Sequence, residues 1–469
     1  MKRKYIFYHI FLILICLLNI NILNAESSSQ KLLSLEKLTL DRAIETALQN
    51  NQDYKIALLK EKEANEKVNA AWGQLWPVLE SEASAMRQYA ESGVMSLSDG
   101  QNDIKFIQLK FGINPGIFYN SLLAARDASK TAREDVRRIR SSIECSLIKS
   151  YFDVLLANEI IKLRKESIAV LKNNLQDVQN MFRTGAIPKF ELLQAEVELH
   201  KLEPLLIDAR TNHKVALDIF NYYLGNDKII FTPDEEILKS ESMKAPADDD
   251  RKTEYLTLLA LKNRPELIQL EAKRSLAEHT KNINSSYYLW PTFSVGGYYG
   301  KTQYLPNTID SPIPGMDFSN ITGTDEWQKT WQVRVAATYR WGTLIPADSI
   351  RAAEREEKLK IKEEEEELLK LKRLIGISIR SNYSKLLSSY LTIKPQKENV
   401  GTAEEGLRIA RESYTAGVIK NSELLSAELS LTNARTSYIN AVYGYYVSLA
   451  ELKKEIGISD ENIIMEDVK

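Results

Sequence analysis

The sequence predicts a mainly α fold built twice over from long helical hairpins, with two pairs of strands of a kind that suits a membrane. Three observations carry that prediction. The first is a duplication. The stretch FRTGAIPKFELLQAEVEL at residues 182–199 and the stretch YTAGVIKNSELLSAELSL at residues 414–431 align at a constant offset. They match at Gly185/Gly417, Ile187/Ile419, Glu191/Glu423, Leu192/Leu424, Leu193/Leu425, Ala195/Ala427, Glu196/Glu428 and Leu199/Leu431. The second is helix length. No proline interrupts the helical pattern from Phe118 to Phe182, and roughly 65 residues at about 1.5 Å each span about 100 Å, more than a globular domain needs. The third is a change of period, from three-to-four to two, in the segments that precede each long helix.

In each copy of the duplicated stretch a charged helical pattern runs into a glycine, reverses, and resumes as a new apolar-periodic helix. Each therefore reads as the tip of a helical hairpin, at about 183–189 and about 415–421.

At the N-terminus, Lys2, Arg3 and Lys4 precede an apolar run from Tyr5 to Leu23, and Ala25 offers a small residue before Glu26. These are the three parts of a secretory signal peptide over residues 1–25. A retained anchor is the alternative, but no basic stop-transfer cluster follows Ala25. Acylation at Cys16 is discounted because Ile15 stands where a small residue is expected. Cleavage leaves Cys145 alone, so no intramolecular disulfide can form. Charged residues make up 27% of the chain with a net charge of −2, and that balance gives no case for nucleic acid.

The first repeat is expected over 26–225. Residues 26–38 are an extended lead-in, and a helix over about 41–75 takes Asp41 as its N-cap and ends before Pro77. A strand pair follows at about 78–113, with Leu79, Ala83 and Ala85 on one face of the first strand. In the second strand Ile107, Leu109, Phe111 and Ile113 oppose Gln108 and Lys110, with Lys105 out of phase. After the long helix and its tip, the return helix carries a coiled-coil seam through Leu192, Ala195, Leu199, Ala209, His213, Phe220 and Leu224.

Residues 226–252 break the pattern and read as an insertion. The second repeat, 253–457, echoes the first, down to Trp290–Pro291 matching Trp76–Pro77. Its strand pair lies at about 292–341, where Trp331, Val333, Val335, Ala337, Tyr339 and Trp341 share one face. Trp331, Tyr339 and Trp341, near the ends of an aliphatic face, suit membrane-interface aromatics. A soluble half-buried strand would alternate in the same way. The charge run EREEKLKIKEEEEELLKLKR reads as a solvated helix face, and Pro395 should bend the second long helix. Residues 458–469 form a tail.

In each half the shorter helices, laid end to end, nearly equal the long one. Each half can therefore form a two-layer rod with strands at one end and a glycine tip at the other. Four strands cannot close a barrel in a bilayer, where exposed edges are forbidden, so strands that span a membrane require the chain to oligomerise.

Nearly all of the chain after residue 25 resembles the TolC-like outer-membrane efflux proteins. The resemblance rests on LTLDRAIETALQNN, the Trp-Pro junctions, the NRPEL opening of the second copy, and two glycine tips each followed by ELLxAE. It implies a homotrimer, with a twelve-stranded outer-membrane β-barrel made of four strands per chain and a periplasmic α-barrel of helical hairpins. Residues 226–252 and the tail would form a belt around its middle. It further implies an exit duct for a tripartite efflux pump or a type I secretion system, with an inner-membrane transporter reached through a periplasmic adaptor. Adaptor contact would fall on Thr184, Gly185, Ala186 and Ile187, and on Ala416, Gly417, Val418 and Ile419. A periplasmic aperture would be ringed by Glu423, with Ser426 at the second position where relatives often place an acid. Glu191 shares the place of Glu423 in the first copy, so a carboxylate that merely caps its helix is the competing reading there.

The different-class alternative is a periplasmic coiled-coil adaptor or scaffold without a barrel. No enzyme and no cofactor are expected: His9, His200, His213 and His279 are scattered rather than set at ligand spacing, and neither a phosphate-binding loop nor a nucleophile elbow occurs.

Overall fold

A computed structural model describes residues 35–87, 100–226, 229–235, 243–247, 250–305, 326–341, 349–458 and 462–465. The signal peptide expected over 1–25 lies outside them, as do parts of the insertion and of the tail. The chain divides into two compact units, Met1–Asn51 with Ser150–Glu241, and Gln52–Lys149 with Ser242–Lys469.

The first unit begins with β1 (Leu35–Leu38) and α1 (Leu40–Asn50). The long helix α3 (Pro115–Arg183) contributes its part from Ser150 onward, followed by α4 (Lys189–Leu224) and β4 (Ile230–Pro233). Of the expected lead-in only residues 35–38 are described; they are extended, and they are also paired: β1 runs parallel to β4, from Leu35 opposite Ile230 to Leu38 opposite Pro233. A partner so distant in sequence leaves no local signal. The buried Tyr151 fastens this pair. Its hydroxyl lies 2.9 Å from the Asp234 carbonyl and 3.2 Å from the Leu38 carbonyl, and it accepts the Asp234 N–H at 3.0 Å. Burial pushes the phenol up to about 12, so it stays a neutral donor.

Two expectations for the first helix are corrected. Thr39, not Asp41, stands at the N-cap position, and Asp41 sits in the first turn, where its charge meets the positive end of the helix. The helix also breaks at Asn51, whose backbone turns to φ −58, ψ 130. The Asn51 side chain donates to the Tyr223 carbonyl at 3.0 Å. Gly225, left-handed at φ +64, ends α4 directly against the backbone of Asn50 and Asn51; a Cβ there would meet Asn50 at 2.8 Å. The predicted seam of α4 is the buried one, with Ala195, Leu199, Ala209, Phe220 and Leu224 inside.

The second unit holds α2 (Gln52–Gly73), the part of α3 up to Lys149, and the strands β2 (Val78–Arg87), β3 (Gly100–Ile113), β5 (Thr292–Leu305) and β6 (Gln328–Thr338). Its remaining helices are α5 (Asp250–Asn263), α6 (Pro265–Leu289), α7 (Ser349–Thr415), α8 (Asn421–Ile456) and the short α9 (Asn462–Met465). The break found at Asn51 recurs at Arg264, before Pro265, and Gly457 at φ +77 caps α8 against Asn263. The core joins Leu256, Ala260 and Leu267 to Ile375, Ile379, Leu386, Tyr445, Leu449, Leu452 and Ile456, with Ile464 of α9 fully buried among them. Insertion and tail are tied to this core. Tyr445 donates to the Lys244 carbonyl at 2.9 Å, Tyr383 donates to the Ala247 carbonyl, and the buried Lys252 donates to the Ile463 carbonyl at 2.8 Å.

The charge run is less solvated than its composition suggests. Tyr288 of α6 donates to Glu354, which also pairs with Lys358 at 2.7 Å, and Glu357 is largely covered and paired with Lys360. Arg274 of α6 reaches Glu365 at 3.2 Å. Part of the run is thus a helix–helix interface rather than a water-facing surface.

The four long strands form one antiparallel sheet in the order β2-β3-β5-β6. Irregularities between Glu80 and Glu82 and between Lys105 and Ile107 lie side by side, where Ser81 donates to the Phe106 carbonyl at 2.7 Å. Both come from one bulge, a single extra residue in β3, and it explains why Lys105 is out of phase: the extra residue moves it to the face of Gln108 and Lys110. At the helix end of the sheet Asn114 caps α3, accepting the Ile117 N–H at 3.1 Å while donating to the Ser286 and Trp290 carbonyls at 3.2 and 3.0 Å. Pro115 follows at the position a helix start favours. A Cβ at Gly116 would meet Ser286 and Trp290 at 2.5 Å, so only glycine lets α3 leave the sheet this close to α6.

Candidate functional site

Both hairpin tips are built the same way. At the end of α3, Gly185 adopts φ +76, its N–H bonds the Phe182 carbonyl at 3.0 Å, and the Ala186 N–H bonds the Met181 carbonyl at 2.9 Å. At the end of α7, Gly417 adopts φ +71, with Gly417 to Tyr414 at 2.9 Å and Val418 to Ser413 at 2.9 Å. These are left-handed glycine caps with paired bonds back into the last helical turn. Pro188 and Lys420 then stand extended and start α4 and α8. A Cβ at Gly185 or Gly417 would meet nothing within 4 Å, so the turns are open to an approaching backbone.

The apolar tip residues divide in a way their spacing did not reveal. Ile187 and Ile419 are half-buried in their own hairpins, whereas Ala186 and Val418 point outward, Val418 at 76% exposed. Thr184 and Ala416 are exposed, and the Thr184 hydroxyl donates to the Met181 carbonyl at 2.9 Å. Phe190, just beyond the first tip, is also exposed and was not singled out in the sequence.

Glu423 lies in the first turn of α8 and is exposed, as is Ser426 one turn on. A carboxylate there is favoured by the helix dipole alone. Behind it the two arms of the hairpin are tied by Arg411–Glu428 and by Arg435–Glu404 at 2.9 Å. The core here is small, made of Leu407, Leu424 and Leu431. Helix α7 continues through Pro395, and in the first copy α4 contains Pro204.

The sheet separates two chemistries. In one set of rows Leu79, Leu109, Gly297 and Val333 align, as do Ile107, Tyr299 and Trp331, and Phe111, Val295 and Val335. These side chains are mostly exposed, Trp331 to 75%. On the opposite face Glu80 pairs with Lys110 and Glu82 with Lys105 at 3.1 Å, and the Thr302 hydroxyl donates to Asp103 at 2.7 Å. Trp331 lies within the sheet, while Tyr339 and Trp341 come just after β6 ends at Thr338, their rings 5.0 Å apart and Trp341 87% exposed. Trp76 and Trp290 are exposed where β2 and β5 begin, at this same end of the sheet. Among the described residues no helix is long and apolar enough to cross a membrane. No group of three His, Cys, Asp or Glu there could hold a metal. The half-buried His213 is pushed down by burial, and Cys145 is pushed up by the same cause.

A family model described as outer membrane efflux protein matches residues 256–457. TolC of Escherichia coli K12 is 20% identical over 317 residues, 67% of this chain but only 61% of TolC's own length. Toxin and drug export protein A of Aggregatibacter actinomycetemcomitans is 22% identical over 88% of this chain and 86% of its own. The crystal structure of the Campylobacter jejuni CmeC outer membrane channel superposes with a TM-score of 0.72 at 19% identity, covering 93% of this chain and 90% of that one. These relatives are channels and export proteins, not enzymes. With the duplicated hairpins and the four-stranded sheet in place, the chain has the fold of these outer membrane channels, and its second repeat is similar to the outer membrane efflux protein family.

Proposed function

We propose that this chain is an outer-membrane exit duct, conducting substrates passively from a periplasmic pump assembly to the exterior. The observation that carries the reading is the open sheet: among the described residues β2 and β6 are unpaired edges of a four-stranded sheet whose apolar face is exposed. Unpaired edges are not tolerated in lipid, and four strands are too few to close. Three copies would bring twelve strands and pair every edge. The helices need covering as well, since Leu193, Val197, Ile207 and Ile219 along α4 are exposed. The signal peptide over 1–25 would route the chain to the envelope.

In this reading the tips 184–187 and 416–419 receive a periplasmic adaptor, which links the duct to an inner-membrane transporter. Efflux pump and type I secretion system use the same geometry, and the names of relatives include both toxin and drug export and alkaline protease secretion. Membrane fractionation with cross-linking of the intact envelope tests the proposal. The expected result is an outer-membrane species of three chains; a protein found wholly in the soluble periplasm, or only as a monomer, would refute it.

A further inference from the structure

The apolar face of the sheet carries charges of one sign only. Strands β5 and β6 keep an unbroken register that sets Tyr299 opposite Trp331 and Lys301 opposite Lys329. Both lysines therefore lie on the face of Phe293, Val295, Val333 and Val335, one row beyond the aromatic pair. From the other side Ile104 pairs with Lys301. Farther from the helices, Arg87 donates to Asn102 at 3.0 Å and Asn102 to Gln303 at 3.0 Å. The strand carboxylates Glu80, Glu82 and Asp103 all belong to the opposite face, with partners of their own. Among the described residues neither Lys301 nor Lys329 makes an ion pair.

Two like charges directly opposite each other on antiparallel strands repel, so this pair weakens the bare sheet. Its height suggests what neutralises it. From Trp341 to Trp331 is about 33 Å of extended chain, or about 25 Å at a tilt of about 40°, the height of the apolar band of a membrane barrel. The lysines stand just past that band, at the rim away from the helices, where headgroups lie and where a Tyr-Trp row normally marks the interface. A small soluble anion would satisfy the charges, but it would leave the apolar face beside them open to water, with Trp331 75% exposed; a lipid satisfies both.

We propose that Lys301 and Lys329 bind the phosphate of an anionic lipid headgroup, with its acyl portion laid along Tyr299 and Trp331. The site rests on the membrane placement proposed above. The test uses the full-length protein purified in neutral detergent. Retained lipid is read by native mass spectrometry and stability by thermal melting, with a phosphorylated lipid, its dephosphorylated form, and inorganic phosphate as the three probes. The phosphorylated lipid alone should be retained and should raise the melting temperature. Retention should fall about fivefold for each lysine removed, in Lys329→Gln and in Lys301→Gln/Lys329→Gln. Without lipid the double variant should melt no lower than the wild type, because a repulsion has been removed. Should the double variant fold poorly, Lys329→Gln, at an exposed position, still decides the matter. Equal retention by variant and wild type, or equal retention of the dephosphorylated lipid, would overturn the site, and the same stabilisation by inorganic phosphate would overturn the lipid as its source. Those failures in a protein that fractionates with the outer membrane leave the duct intact, whereas a wholly soluble protein refutes the duct itself.

Discussion

Among the described residues four glycines have positive φ, at positions 185, 225, 417 and 457, and they do two different jobs. Gly185 and Gly417 turn in open space, while Gly225 and Gly457 turn against the breaks at Asn50–Asn51 and Asn263–Arg264. A β-carbon at the first kind costs only the left-handed backbone, about 1–2 kcal/mol. At Gly225 the same cost adds to a contact of 2.8 Å with backbone that cannot swing aside, which brings the total to about 3 kcal/mol. Thermal melting in detergent should therefore rank Gly225→Ala well below Gly185→Ala, and equal melting temperatures would contradict the packing role. Only the first pair was legible in the sequence, because a hairpin tip sits between two helical patterns that announce it. The second pair acts on residues that are remote in sequence, and so Gly225 looked like the mere edge of an insertion.

At the scale of elements, period and length placed the two long helices, the seam of α4 and all four long strands. What they missed depends on contacts far along the chain: the β1–β4 pairing, the break at Asn51, the bulge in β3 that rephases Lys105, and the Asn114 cap bonded to Ser286 and Trp290. The tips belong to this scale too. Their glycines were visible at once, but which apolar neighbour faces out depended on how the chain leaves the turn, and that favours Val418 over Ile419. Gly417→Trp places bulk where nothing lies within 4 Å. If the adaptor docks there, export should fall about tenfold or more while the oligomer persists. Gly417→Ala brings the same backbone strain without the bulk and should retain most export. Normal export by Gly417→Trp would remove the tip from the docking surface, and equal loss in both variants would assign the effect to the turn itself.

At the scale of the whole molecule, the proposed threefold assembly would convert single side chains into rings. Glu423 is open to that effect: it is accessible, it lies in the first turn of α8, and its counterpart Glu191 in the first copy is partly covered. Ser426, on the next turn, adds no charge. One carboxylate per chain, repeated around a narrow opening, concentrates negative potential and favours cations. A carboxylate that only caps its helix would instead contribute about 0.3–1 kcal/mol of local stability and leave conduction untouched. Single-channel recording in planar bilayers separates the two roles. Glu423→Gln should lower the cation preference, and the loss should shrink as salt screens the wild-type ring. Glu191→Gln should leave selectivity as it was. A Glu423→Gln channel with unchanged cation preference at low salt would make Glu423 a helix-start residue and place the constriction elsewhere along the hairpin.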